Sequence, residues 1–131
     1  MKRLFTILIA AVIMLSICSC AKTSVNRNAN VALTFIYGEE NIGVTLEDDE
    51  AERIIDILDG NNYYSIFSGI PSCGFDKNIS LSVGNRVFAI ACDSCHCIQD
   101  LSNLKYFSIA QEDMEYIHSL FEKYGGFFPC V

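Results

Sequence analysis

The sequence predicts an α+β fold: an antiparallel sheet of two β-hairpins plus a candidate fifth strand, with two helices packed on it. Three observations carry this expectation. Apolar residues alternate with period two over 31–46 and again over 79–91, and each stretch is interrupted by a glycine-containing turn. Helical spacing of apolar residues follows over 51–58 and returns over 114–124. Both helical stretches open on similar segments, 45–50 and 108–113, each with a hydroxyl residue and then acidic ones. Duplication of one ββα unit explains that likeness, and generic helix capping explains it equally well.

The elements follow in order. Val31, Leu33, Phe35 and Tyr37 alternate with Ala32, Thr34 and Ile36, so the first strand has one more apolar face. Gly38-Glu39-Glu40-Asn41 forms the turn, and Ile42, Val44 and Leu46 complete the hairpin. Thr45 is placed to cap the first helix, with Asp48 in the reciprocal position. The acidic run Glu47-Asp48-Asp49-Glu50 suits the positive end of the helix dipole and needs no ligand to explain it. Ala51, Ile54, Ile55 and Leu58 form the buried stripe, and Gly60-Asn61-Asn62 stops the helix. In the second hairpin, Gly84-Asn85 fits a two-residue type II′ turn, which sets Leu81 opposite Phe88 and Ile79 opposite Ile90. Residues 104–109 are the candidate fifth strand. Ser108 with Gln111 is a capping-box candidate, and Met114, Ile117, Phe121 and Tyr124 form a stripe ending at Gly125-Gly126.

The first twenty residues differ from everything after them. Lys2 and Arg3 precede an apolar run over 4–17, broken by Thr6 and Ser16, which is the pattern of a secretory signal peptide. At about fourteen residues, the run is short of the roughly 20 a spanning helix needs at 1.5 Å rise. Ile17-Cys18-Ser19-Cys20 follows, and it resembles the lipobox of bacterial lipoprotein precursors: an aliphatic residue, two small residues and the cysteine that is acylated. Cys18 in the second small position departs from the usual pattern. The resemblance is confined to residues 1–20 and implies cleavage before Cys20, lipidation of Cys20, and a cell-membrane location on the extracytoplasmic face. A conventional cleaved signal or an uncleaved anchor is the plainer alternative.

This divides the chain into a signal peptide at 1–19, a lipidated Cys20 with a polar tether at 20–30, and one small domain at 31–131. Lys2 and Arg3 leave with the signal, so nine basic residues become seven against sixteen acidic ones, net −9. Such a domain repels phosphate backbones, which argues against nucleic acid as a partner. The expected partners are the membrane, through the lipid, and an unidentified protein or envelope ligand.

Five cysteines fall in the domain: Cys73, Cys92, Cys95, Cys97 and Cys130. Outside the cytoplasm their default is disulfides, and the odd number leaves one thiol after two bridges. Extending the second hairpin in the same register puts Cys73 opposite His96, beside Cys95 and Cys97. No cofactor is expected on this reading, but three sharper ones compete. Cys92-Asp93-Ser94-Cys95-His96 matches the C-x-x-C-H pattern of c-type haem attachment, with His118 or Met114 as second axial ligand. Against haem, the motif follows a strand instead of opening a helix. Cys73, Cys92, Cys95, His96 and Cys97 offer a ligand set for zinc or copper, although no second zinc knuckle follows. Cys92 and Cys95 have the spacing of a thiol-redox pair but lack a helix N-terminus to lower a thiol pKa.

Little else in the sequence points to chemistry. There is no nucleophile elbow, phosphate-binding glycine loop or metalloprotease histidine pair, so no catalytic residue is assigned. Asn78-Ile79-Ser80 is a formal glycosylation acceptor without meaning in a bacterial envelope. His118 reads as a boundary residue beside the last helical stripe. Tyr63, Tyr64, Phe67 and Ile70 form an aromatic connector expected to cover the core, with a recognition surface as the alternative.

Overall fold

The computed structural model describes residues 21–65, 67–125 and 128. The signal peptide, Cys18, the lipidation residue Cys20 and the disulfide candidate Cys130 lie outside the described residues. In chain order the elements are β1 (Val31–Tyr37), β2 (Glu40–Thr45), α1 (Asp48–Leu58), β3 (Phe75–Val83), β4 (Arg86–Ala91), β5 (Cys97–Asp100), β6 (Lys105–Ser108) and α2 (Gln111–Gly125). The strands form one sheet in the order β2-β1-β3-β4-β5-β6, and every neighbouring pair is antiparallel. The fold is therefore α+β. Both helices follow an edge strand: α1 comes after β2, and α2 after β6.

The alternating residues line up as their period requires. Val31, Leu33 and Phe35 of β1, Leu81 and Val83 of β3, Phe88 and Ile90 of β4, Ile98 of β5 and Phe107 of β6 are buried in one core. Ile54, Ile55 and Leu58 of α1 join that core, as do Met114, Ile117, Leu120 and Phe121 of α2. An edge-to-face ring pair joins sheet to helix, Phe35 with Phe121 at 5.9 Å between centroids, and another lies within the sheet's core face, Phe88 with Phe107 at 6.2 Å. Gly84 has φ +57°, in keeping with its place at the first turn position, and Val83 pairs with Arg86 across the turn.

Five features differ from the sequence reading. The sheet contains β5, a strand that the sequence does not announce. Neither hydroxyl residue caps a helix: α1 starts from Glu47 without a side-chain cap, while Thr45 ends β2 opposite Ala32. Ser108 ends β6 opposite Cys97, and its hydroxyl is hydrogen-bonded to that of Tyr64. The hairpin register holds from Ser80 to Val83 and then shifts before Phe75, which pairs with Ala91. Finally, residues 21–30 are not a free tether. Thr23 N–H donates to Asn61 C=O at 2.8 Å, and Gly60 N–H donates to Thr23 C=O at 2.9 Å. Lys22 bridges Asn62 in antiparallel sense, and the Thr23 and Val25 side chains are buried. The apolar and hydroxyl groups at alternate positions there face the domain, while the polar ones stay in water.

Candidate functional site

The cysteine region is a corner formed where β4 ends. Cys92 N–H donates to Gly74 C=O at 2.7 Å, which holds the end of β4 against the chain entering β3. The Asp93 carboxylate then accepts Gly74 N–H and Cys95 N–H, both at 2.9 Å. Those two amide bonds, Gly74 first and Cys95 second, hold the exposed Asp93 carboxyl below the usual carboxylate range. The tight loop brings Cys95 to Cys73, and the two form a disulfide with Cα atoms 6.0 Å apart. Cys92 is disulfide-bonded too.

Cys97 is the free thiol among the described residues. It is 2% exposed and lies opposite Ser108 on the sheet face away from the core, where Tyr64 covers it. Burial pushes its thiol pKa up, and Tyr64 opposes that only in part. A buried thiol that resists ionisation is a poor nucleophile.

The five residues proposed as a metal set therefore do not surround one point. Cys73 and Cys95 share a bond, His96 is exposed on the loop, and Cys97 is buried beside β6. The ligand atoms of Cys73, Asp93 and Cys95 lie within 4.8 Å of one another, but two of those atoms are bonded sulfurs without thiolate charge. The Cys92–Cys95 pair is likewise not a dithiol in this state. Thioether attachment of haem at both residues requires both disulfides to be opened first.

The residues considered as axial partners do come near the corner. Asp93, Cys95 and His96 face Met114, Glu115 and His118 of α2 across a shallow depression. His118 stacks on Phe128 with ring centroids 3.8 Å apart, and its buried Nε2 has no partner among the described residues. Burial lowers the His118 pKa, and His96 adds to that, against the opposing pull of Glu122 and Glu115. His118 is thus a neutral imidazole near pH 7.

A second polar cluster gave no signal in the sequence. Asp100 is 0% exposed on the core face of β5. It accepts Tyr63 O–H at 2.5 Å and Ser102 N–H at 3.0 Å, and it pairs with Arg86. Arg86 also donates to Tyr63 Oη at 2.8 Å and to the Ser24 carbonyl. Burial alone raises the Asp100 pKa, but Tyr63, Ser102 and Arg86 together outweigh it, so the carboxyl ionises below the usual range. The cluster clasps the segment after Ala21, the connector, β4 and β5 together.

The aromatic connector divides in two. Tyr63 packs edge-on against Phe107 at 6.0 Å, and Tyr64 N–H donates to Tyr106 C=O at 2.8 Å. Phe67 and Ile70, by contrast, are 91% and 82% exposed. Comparison with known proteins adds nothing to this geometry: no family model, curated protein or solved structure matches the chain.

Proposed function

We propose that the protein is a membrane-anchored extracytoplasmic lipoprotein whose domain is a disulfide-stapled binding or interaction module for a protein or envelope ligand. The observation that carries this reading is Ile17-Cys18-Ser19-Cys20 at the end of a basic head and a short apolar run. The Cys73–Cys95 disulfide supports it, because such bonds persist in oxidising compartments. Among the described residues, no helix is long and apolar enough to cross a membrane. Made in an export-competent bacterium, the mature protein should begin at Cys20 and carry acyl mass there. Cys20→Ser should remove the lipid and release the protein to the soluble fraction. A wild-type protein without acyl mass on Cys20 would refute the reading.

A metal- or haem-handling role is the second reading. One observation favours it: His96, Met114 and His118 share a depression, and His118 Nε2 lacks a partner among the described residues. An absorption spectrum and metal analysis of the exported protein decide between the two. A Soret band or stoichiometric zinc or copper would establish the second reading.

A further inference from the structure

We infer that the turn carrying Phe67 and Ile70, with Leu104 beside it, docks on the lipid bilayer that anchors Cys20. This inference rests on the lipoprotein reading and adds an orientation to it. Phe67, Ile70 and Leu104 are 91%, 82% and 68% exposed. Ile70 and Leu104 line one shallow concavity with Tyr64, Lys105 and Tyr106, so the connector turn and the β5–β6 loop present a shared apolar surface. The turn is ordered by its own bonds: Ser68 N–H donates to Ser65 C=O at 3.0 Å, and Phe67 N–H donates to Ser65 Oγ at 3.2 Å. Gly69 follows with φ +73°.

The occupant is identified by where the chain leaves the domain. Tyr63 N–H donates to Ala21 C=O at 3.1 Å, one residue after Cys20. The Lys22–Asn62 bridge is antiparallel. Stepping back from Lys22 to Ala21 therefore runs alongside the step forward from Asn62 to Tyr63, toward the turn at 65–70. Consecutive Cα atoms are 3.8 Å apart, so a lipid on Cys20 leaves no slack to hold this end away from the headgroups. A long tether would allow any orientation; this attachment favours one.

Charge agrees with that orientation. The chain has sixteen acidic residues, yet none lies within 60–75 or 101–111. Lys105 lines the concavity, with its Nζ 5.5 Å from the Tyr63 ring centroid, and the exposed Lys22 lies on the bridge to Asn62 that leads to Cys20. Apolar groups flanked by lysines suit an interface where rings enter the acyl boundary and ammonium groups remain at phosphate level.

The test uses the absence of tryptophan from the chain. Phe67→Trp introduces a unique reporter at an exposed position, and Glu39→Trp, on the turn between β1 and β2 at the other sheet edge, is the control. Each mature chain is coupled through Cys20 to a maleimide lipid in phosphatidylcholine vesicles with or without phosphatidylglycerol. Brominated acyl chains should then remove more than about half of the Phe67→Trp emission and little of the Glu39→Trp emission. Ile70→Ser with Leu104→Ser should restore most of the lost signal. Equal, weak quenching at both positions overturns the inference. So does protection of Phe67→Trp from aqueous iodide without lipid quenching, which would mean that a second copy covers the turn. Coupling replaces cellular acylation here, so this result stands apart from the acyl-mass test of the lipoprotein reading.

Discussion

Asp100 carries more of the fold than its place in a four-residue strand suggests. Its side chain is fully buried, and three donors satisfy it: Ser102 two residues on, and Arg86 and Tyr63 from distant parts of the chain. Removing one partner of a buried ion pair leaves the other uncompensated and costs about 3 kcal/mol or more. Asp100→Asn should therefore lower the denaturant midpoint at neutral pH by that equivalent, with an unchanged slope. Replacing the pair together, Arg86→Met with Asp100→Leu, should recover part of the loss, because two apolar groups need no mutual neutralisation. The pH dependence has a defined sign. A carboxyl whose folded pKa is depressed adds stability above the unfolded value and loses it as pH falls through the folded value. Asp100→Asn should flatten the acid limb of stability in and below the ordinary aspartate range. A variant that keeps the parental acid limb would show that Asp100 does not drive it. Nothing in the sequence marks this pair: Arg86 opens a strand and Asp100 closes one, where charged residues are ordinarily solvated. Arg86 and Tyr63 lie 14 and 37 residues from Asp100, so no local pattern reports the cluster.

At the scale of elements, hairpins with a period-two apolar face and a glycine turn are legible, and irregular joins are not. Gly84 shows why the β3–β4 hairpin could be read. Its φ of +57° suits glycine, and a Cβ there would also come within 3.2 Å of the Ala29 Cβ. Gly84→Ala should destabilise by more than about 1 kcal/mol, lowering Tm by about 4 °C or more in a thermal melt. Gly84→Asn should lose less, since asparagine tolerates positive φ, but the contact with Ala29 remains. Strand β5 reads poorly for a physical reason. It sets Ile98 and Asp100 on one face and Cys97 and Gln99 on the other, so neither face is uniformly apolar. The segment over 21–30 has no clear pattern for a similar reason: Thr23 and Val25 are two inward positions in an otherwise polar run. The bulge between Phe75 and Ser80 is invisible to a register rule that assumes constant pairing. The unshifted register sets Cys73 opposite His96, beside both Cys95 and Cys97; the bond forms with Cys95, while Cys97 keeps its thiol.

For the whole molecule, the disulfides decide how firmly the exposed connector is held. Tyr64 fixes one end to β6, and the Cys73–Cys95 bond fixes the other to the loop after β4. The bond joins residues 22 apart, which by loop-closure entropy contributes about 3 kcal/mol. Cys92 is bonded as well, so the oxidised domain should weigh about four mass units less than its fully reduced form, the loss expected from two bridges. Cys97 is the thiol left over among the described residues, and its burial predicts a second signature. Iodoacetamide should leave it unlabelled in the native oxidised protein and add one label once denaturant is present. Cys73→Ser with Cys95→Ser separates the staple from the core. The sheet and both helices share one buried cluster independent of that bond, so the double variant should fold with a lower Tm. Hydrogen exchange should rise over the connector and the loop after β4, while β1, β3 and the helices keep their protection relative to the new global stability. If exchange instead rises uniformly, the bond supports the entire domain, and the connector is no more independent than the core. Should docking occur through Phe67 and Ile70, the same variant should bind vesicles more weakly at equal acylation, because ordering the turn then falls to the membrane contact itself.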